Sequence, residues 1–275
     1  MNQISKIMIK GLAKALFVIL PALFSFSAAI AQWELGGEGG ISLPNLTATG
    51  SNNNPLNTGY KSRLGPAFGI YEAYSVSTHF SLKMAVEYSG EGGKKDGMQA
   101  LTTPTEVREY FESQNQTPPQ YLYANYNSVA KLDYLMIPLM ARFGWNFHPG
   151  SPWRFYAEGG PFVSFLLSAK QVTSGTSQLY LDPAGMEAFP GGPQSFDSTT
   201  DIKSQTHAVD FGFEANIGLS LRLGEKSHSN IFLQLGGNYG LINIQKGTAN
   251  GKNNTGAATA MIGYSYHFGG KTQPK

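Results

Sequence analysis

Residues 209–223 read Val-Asp-Phe-Gly-Phe-Glu-Ala-Asn-Ile-Gly-Leu-Ser-Leu-Arg-Leu, with an apolar residue at every odd position and a small or polar residue at every even one. Successive side chains of a β-strand point to opposite sides, so this stretch has one apolar face and one face of charges, amides and glycines. Five further stretches of the chain alternate in the same way. The pattern predicts a sheet whose two faces meet very different surroundings.

The N-terminal region has the features of a secretory signal peptide. Three lysines come first, Lys6, Lys10 and Lys14, and the apolar run 15–31 follows them and ends in Ala29-Ile30-Ala31. Small residues at this spacing are what a signal peptidase cleaves after, so we expect residues 1–31 to be removed. The alternative is an uncleaved anchor, but the run is short for a spanning helix and contains a proline and two serines.

The composition narrows the possible classes of protein. The chain has 275 residues, no cysteine, a formal net charge of +2 and 14% charged residues. This balance does not indicate nucleic acid as a partner, and it leaves no disulfide framework. After residue 31 no stretch approaches the ~20 consecutive apolar residues of a membrane helix. A transmembrane β-barrel remains possible, because its lipid-facing side uses only alternate residues.

Period-two segments and clusters of turn residues predict eight strands. They run over Trp33–Leu43, Arg63–Ser75, Phe80–Ser89, Leu132–Phe147, Trp153–Ala169, Val209–Leu223, Ile231–Ile244 and Ala257–Phe268. Three connections are short, at 76–79, 148–152 and 224–230, and four are long, at 44–62, 90–131, 170–208 and 245–256. Short turns on one rim and long loops on the other are typical of outer-membrane barrels.

We therefore predict an all-β fold, an eight-stranded antiparallel transmembrane up-and-down β-barrel with short periplasmic turns and long extracellular loops. The barrel comprises residues 32–268, and residues 269–275 form a short C-terminal tail. Within the loop 90–131 we predict one helix over 104–113, with Thr103 as its cap.

The size of the side chains decides which face points inward. A soluble barrel would bury the apolar face, but the interior of an eight-stranded barrel holds only a modest volume of side chains. The apolar set here includes many phenylalanines, leucines and two tryptophans and would overfill that space. We expect the bulky side chains to face lipid and the small and charged ones to face the lumen.

Aromatic residues at the predicted short-turn rim support the same orientation, since Trp and Tyr favour membrane interfaces. We predict a periplasmic aromatic girdle of Trp33, Tyr74, Phe80, Trp145, Phe147, Trp153, Phe155, Tyr266 and Phe268. Tyr88, Tyr134 and Tyr239 are expected near the opposite rim.

The same alternation of side chains places six acids and six bases on the face that points into the lumen. The acids are Glu34, Glu38, Glu87, Glu158, Asp210 and Glu214, and the bases are Arg63, Lys83, Arg142, Arg154, Lys170 and Arg222. Charges withdrawn from water must be paired, so a balanced set predicts a cross-linked plug. If Phe147 and Trp153 close their hairpin, Arg142 lies opposite Glu158, and we predict a salt bridge between them.

Catalytic signals are weak. His207, Ser204 and Asp210 come close together in sequence at the outer mouth, where a hydrolase triad would need them within hydrogen-bond reach. We find no phosphate-binding glycine loop and no His/Asp/Glu cluster at metal-ligand spacing. We expect a non-enzymatic protein with no cofactor and no metal.

Several motifs resemble a known family. Residues 134–139, Tyr-Leu-Met-Ile-Pro-Leu, are similar to the Tyr-Leu-x-Ile-Pro-Leu strand of the outer-membrane β-barrel family of Bacteroidota that includes PorT-like proteins. Phe155-Tyr156 followed by Gly159-Gly160-Pro161-Phe162, and Asp210-Phe211-Gly212 with Gly218, resemble later strands of that family. Residues 263–268 resemble the terminal aromatic strand offered to the barrel-assembly machinery, although this chain continues to Lys275.

The resemblance implies an eight-stranded barrel in the outer membrane of a Gram-negative cell, surrounded by outer-membrane lipid. Members are often described as porin-like, and PorT is implicated in protein secretion. Our leading hypothesis is a barrel whose loops serve surface interaction, envelope integrity or accessory work in secretion. A narrow passive porin-like channel is the alternative, and a membrane-embedded lipid hydrolase is a third.

Overall fold

The computed structural model describes residues 32–49, 54–224, 227–247 and 251–268. The predicted signal peptide and the predicted tail lie outside the described residues. Numbered along the chain, the elements are β1 Trp33–Thr49, β2 Gly65–Ser75, β3 Phe80–Lys95, β4 Met98–Thr102, α1 Thr105–Ser113, β5 Tyr121–Asn125, β6 Asn127–Asn146, β7 Trp153–Ser174, β8 Thr176–Ser177, β9 Gln194–Ser195, β10 Ser198–Asp201, β11 Val209–Arg222, β12 Ser229–Gly240 and β13 Lys252–Phe268.

Eight of the strands form a closed antiparallel ring in the order β1-β2-β3-β6-β7-β11-β12-β13. The first and last of these strands close the ring, since Trp33 pairs with Phe268 and Thr49 pairs with Lys252. Every strand therefore has a hydrogen-bonded neighbour on both sides, which removes the exposed edges of an open sheet. The predicted fold class is confirmed.

Side chains alternate around the ring as the sequence predicts. On β11, Phe213 and Ile217 are 61% and 52% exposed, whereas Asp210 and Asn216, on the opposite face of the strand, are each 3% exposed. The bulky apolar side chains thus lie on the outer wall and the polar ones fill the interior.

Four of the inward-pointing aromatic rings each lie over a glycine directly opposite on a neighbouring strand. The pairs are Tyr71 with Gly36, Tyr156 with Gly218, Phe162 with Gly212 and Phe232 with Gly263. Because glycine has no side chain, the ring can lie flat against the wall and fill the narrow lumen without overfilling it. We call these four glycines ring seats, because each makes room for the aromatic ring opposite it.

Strand β7 contains a bulge that the sequence does not reveal. Tyr134 on β6 pairs with Leu166, but the preceding Asp133 pairs with Ser168, so Leu167 is an extra residue. A one-residue shift moves the following side chains to the opposite face. Ala169 is consequently buried inside and Lys170 is exposed outside. The prediction that Lys170 faces the lumen was wrong for this reason.

The strands also continue past their predicted ends at the rim with the long loops. Strand β1 extends to Thr49, β3 to Lys95 and β7 to Ser174, while β6 begins already at Asn127. These extensions lack apolar alternation, because beyond the membrane a strand needs only its hydrogen-bonded partner. Strand β12, by contrast, ends at Gly240, before the predicted Ile244.

Two of the long loops fold together into one unit, here called the cap, which comprises residues 98–125 and 176–196. It contains β4, α1, β5, β8 and β9. Helix α1 confirms the helix predicted over 104–113. Thr103 does not cap it, because its hydroxyl donates to the Pro119 carbonyl instead, at 2.6 Å. Within the described ranges, no helix has the length and apolar character needed to cross a membrane.

The ring seats give the first testable prediction. A Cβ added at Gly36 would meet the Tyr71 ring at 2.4 Å, whereas the nearest atom to one at Gly37, on the outer wall, is 3.9 Å away. We expect Gly36→Val to lower the free energy of unfolding by about 1–3 kcal/mol through overpacking. Gly37→Val is the matched control and should change it little. Urea unfolding in lipid vesicles, followed by tryptophan fluorescence, measures both, and equal losses would contradict the seat.

Candidate functional site: the plugged lumen and the cap

Two basic residues on adjacent strands form the centre of the lumen. The Lys83 Nζ on β3 lies 3.1 Å from both Glu38 Oε1 and Glu158 Oε1. The Arg142 Nε on β6 lies 2.6 Å from Glu158 Oε2, and its Nη1 lies 3.5 Å from Glu34 Oε1. Glu158 is thus shared by two cations, and the side chains of Lys83 and Glu158 are almost completely buried. Such charges are tolerated away from water because each has an opposite charge in contact.

The pairing of Arg142 with Glu158 follows from the hairpin between β6 and β7. The two residues face each other directly in the register, as the sequence analysis predicts from closure of that hairpin at Phe147 and Trp153. Both side chains point inward and form the short ion pair described above. The hairpin thereby fixes the position of the shared carboxylate.

Neutral groups complete this network. The Tyr71 hydroxyl donates to Glu34 at 2.6 Å, and Lys83 Nζ lies 4.5 Å from the centroid of the Tyr71 ring. The Arg142 guanidinium lies 4.7 Å from the centroid of the Tyr156 ring. Ring faces carry partial negative charge and stabilise cations in this arrangement. The seated rings therefore fill space and also share in balancing the charge.

The polar side chains beside this network are closely packed in the described part of the lumen. A cavity of about 10 Å³ is lined in part by Glu38, Glu87, Glu214 and Asn238. That volume holds about one water molecule. Asn216 bridges this region to the network, since its amide donates to Glu158 at 3.1 Å and to Glu214 at 2.8 Å. The arrangement fills the middle of the lumen with side chains.

The network does not include every predicted lumen residue. Glu87 lines the cavity but forms no ion pair in the described part of the chain. Arg154 donates to the carbonyls of Thr78 and Gly144 near the short turns. Arg222 lies at the same end, and its Nε is buried without a hydrogen bond.

At the long-loop end two further predicted members are also separate. Asp210 accepts hydrogen bonds from the amides of Phe211 and Ile242 and from the Thr255 hydroxyl. Arg63 lies in a connection and donates to the Glu91 carbonyl. Arg63 was predicted in a strand, but β2 begins only at Gly65. Residues near the ends of strands have backbone groups within reach and do not need a charged partner.

Glu91 is a buried residue that the sequence analysis missed. Its carboxylate accepts from the Ser89 hydroxyl at 2.7 Å and from the Asn238 amide at 3.1 Å. The signal was present, since Glu91 continues the inward phase of Lys83, Glu87 and Ser89. The Gly-rich sequence around Glu91 is typical of a loop, so the sequence alone does not place it in a strand.

The nine predicted girdle residues lie at the short-turn end of the wall. Rings on neighbouring strands contact one another, with centroid separations of 5.2 Å for Trp33 and Tyr74 and 5.0 Å for Phe80 and Phe143. On the next strands Trp145 lies 6.4 Å from Phe155. Most of these rings are half-exposed on the outer wall, where an interface between lipid and water would surround them.

The structure does not join Ser204, His207 and Asp210 as a triad. The His207 Nδ1 lies 2.7 Å from the Asn243 carbonyl, and Asp210 is engaged by backbone amides and Thr255. The Ser204 carbonyl accepts from Lys246. None of the described hydrogen bonds links one of the three to another.

The cap has a small apolar core of its own. Val107 on α1, Leu122 and Ala124 on β5, and Leu179 from the second loop are buried against one another. Tyr123 and Tyr180 exchange two backbone hydrogen bonds of 2.8 Å, which fasten one loop to the other. The two connections are therefore joined both by a shared apolar core and by backbone hydrogen bonds.

A turn at the tip of the cap is held by Asp182. The backbone N–H groups of Glu187, Met186 and Ala184 donate to its carboxylate at 2.6–2.9 Å. These hydrogen bonds, that of Glu187 foremost, lower the pKa of Asp182. The turn is thus stabilised by the ionised carboxylate, and this contribution is lost only as the pH falls below the ordinary range of an aspartate.

A closed ring of eight antiparallel strands with an apolar outer wall and a polar, filled interior defines a transmembrane β-barrel. The chain belongs to the outer membrane protein beta-barrel domain family, whose sequence model matches residues 25–246. It is accordingly an outer-membrane protein in a lipid environment. Its short turns face the periplasm, and its long loops, with the cap, face the exterior.

Three solved structures illustrate the backbone similarity. The attachment invasion locus protein Ail of Yersinia pestis is 8% identical, with a TM-score of 0.35, and the match covers 86% of this chain and 99% of Ail. OprG from Pseudomonas aeruginosa is 10% identical, with a TM-score of 0.38, covering 87% and 97%. Neisserial surface protein A is 14% identical, with a TM-score of 0.34, covering 86% and 97%. No curated protein sequence matches this chain.

The shared carboxylate gives the second prediction. Glu158→Gln leaves Lys83 and Arg142 short of a negative charge inside the barrel, and we expect a loss of about 3–5 kcal/mol in the free energy of unfolding. Glu214→Gln is the control, because Glu214 is also buried but forms no ion pair in the described part. It should change stability by about 1 kcal/mol or less. Urea midpoints in vesicles compare the two, and similar losses would argue against a network centred on Glu158.

Proposed function

We propose that this protein is a non-enzymatic outer-membrane barrel that presents its cap to a partner outside the cell, in surface interaction, envelope integrity or accessory work in secretion. The observation that carries the proposal is the shared core of the two loops around Leu122 and Leu179. A surface that is already ordered loses less conformational entropy on binding than flexible loops would.

The surface chemistry of the cap supports a protein-facing role. Its sequence and the adjoining Asp197 contain six acids and one basic residue, Arg108. Tyr110 is exposed and lies 5.4 Å from the Phe189 ring, with Phe111 packed beside both. An exposed aromatic group surrounded by charge is a common centre of protein interfaces. We infer that the partner surface is basic and accommodates the Tyr110 ring.

We also propose how the chain is exported and assembled, and to which proteins it is related. Residues 1–31 are removed on export, residues 32–268 form the barrel and residues 269–275 form a tail. The barrel-assembly machinery recognises the strand that ends at Phe268. Kinship with the PorT-like proteins of Bacteroidota rests on the motifs quoted above, including Tyr134–Leu139.

The third prediction tests the cap. A photoreactive phenylalanine analogue at Met186, which is 83% exposed in the cap, should crosslink to a protein in intact cells. The same analogue at Val76, exposed in a periplasmic turn, should not give that product. Leu122→Asp places a charge in the core of the cap and should reduce the crosslink about tenfold or more.

Electrophoretic heat modifiability would check that the barrel of the Leu122→Asp variant still folds. Illumination that captures no protein at Met186, or a crosslink that survives loss of the cap core, would count against the proposal.

The fourth prediction concerns the alternative of a narrow passive channel. With Lys83, Arg142 and Glu158 filling the lumen, the purified protein in planar bilayers should give no stable unitary conductance steps. Reproducible steps from wild-type protein would favour the channel. A parallel preparation with a known porin would establish that the bilayers report conductance.

A further inference from the structure

Among the described residues, lysines are concentrated at one end of the barrel. The described part of the chain has nine lysines, and only Lys83 lies in the middle of the lumen. The other eight lie at or beyond the extracellular rim: Lys61, Lys94, Lys95, Lys131, Lys170, Lys203, Lys246 and Lys252. This bias puts positive charge where the barrel leaves the outer leaflet.

Two of these lysines face each other directly. Lys131 on β6 and Lys170 on β7 are register partners, so their side chains leave the same face of the sheet. Their neighbours Ala130, Leu132 and Ala169 are buried in the interior, which shows that the two lysines point outward. Like charges directly opposite each other in a sheet destabilise it. The pair exists only because of the bulge at Leu167.

Lys94 on β3 extends this group to a third neighbouring strand. It pairs with Val129, two residues from Lys131 on the same face of β6, and is exposed. No carboxylate of the described residues lies within 4.0 Å of Lys94, Lys131 or Lys170. We call these three residues the lysine triplet.

The nearby acids are engaged elsewhere. Asp201 pairs with Lys170 from the other side, but its carboxylate accepts the Lys203 backbone amide at 2.8 Å. Asp96 forms an ion pair with Lys61. Asp133 lies two residues from Lys131 on the same face of β6 and interacts with the Tyr88 hydroxyl. These three carboxylates keep their charge, but none of them contacts an ammonium group of the triplet, so each lysine of the triplet is without a salt-bridge partner among the described residues.

The height of the triplet matches lipid headgroups. Lys131 is fourteen residues from Trp145 in the periplasmic girdle. At about 3.3 Å per residue and a tilt of about 40°, this separation gives about 35 Å along the membrane normal. An apolar band of about 25 Å leaves the triplet about 10 Å beyond the hydrocarbon, at the level of polar headgroups.

We propose that Lys94, Lys131 and Lys170 bind a phosphate group of the phosphorylated glycolipid in the outer leaflet. A phosphate between the opposed ammonium groups turns their repulsion into attraction to a shared anion, and lysine is a suitable point charge for it. The acyl chains of the same lipid then lie against the apolar wall below, where Leu139 and Leu167 are exposed. The phosphate would therefore contact lysines, and the acyl chains would contact apolar side chains, on the same neighbouring strands.

A binding experiment with the full chain in zwitterionic micelles tests this proposal. The probe is lipid A that carries its phosphates, and the comparison is the same lipid with its phosphates removed, each measured by native mass spectrometry. We expect phosphorylated lipid A to bind at least tenfold more tightly to wild type. Lys131→Gln with Lys170→Gln should abolish that preference, whereas Lys246→Gln with Lys252→Gln, at other sites on the rim, should retain it.

Several outcomes would overturn the proposal. Equal binding of the two lipids to wild type, an undiminished preference in the Lys131/Lys170 variant, or an equal loss in the control variant would each do so. Inorganic phosphate added at the lipid concentration should not displace the lipid. Full displacement would identify a site for free phosphate and reject the lipid as its occupant.

A single substitution separates binding from folding. Lys131→Glu replaces a repulsive cross-strand pair with an attractive one, so this variant should unfold at a higher urea concentration than wild type in zwitterionic detergent. It should also lose the stabilisation that phosphorylated lipid A gives to wild type. A variant that is stabilised and still binds the lipid normally would show that the triplet has no part in binding.

Discussion

The structure depends on one constraint, which is that backbone N–H and C=O groups within a membrane have no water to bond. Only a ladder closed on itself satisfies them all, and here the pairing of β1 with β13 completes it. Closure at eight strands then sets the volume of the interior. Most other features of the barrel determine which side chains fill that volume.

The interior is filled by rings seated on glycines and by charges that neutralise one another. Tyr71 and Tyr156 lie opposite Gly36 and Gly218, and the same two rings contact the cations of the network. Removing any one of these side chains would leave its partners buried without the opposite charge or hydrogen bond that they need. The lumen is consequently a continuous polar core, and it has the role that an apolar core has in a soluble protein.

Much of the barrel could be predicted from the sequence, because alternation directly reports the two faces of a strand. The opposed pair Arg142 and Glu158 followed from the register of one short hairpin. Lys170 could not be assigned, since a bulge is a property of pairing and leaves no mark in the residues around Leu167. The cap was equally hidden, because its core joins segments such as β5 and the turn near Leu179 that lie far apart in sequence.

Strand β10 has a consequence for how neighbouring molecules coexist in the membrane. It pairs with residues 170–173 of β7, which extend beyond the point where β11 begins. Without β10 that stretch would present free backbone groups at the cell surface, a template on which strands of adjacent copies could assemble. The free edge at this point is therefore β10 itself, a strand of only four residues that ends in the charged Asp201. An edge this short and charged is a poor template for a further strand.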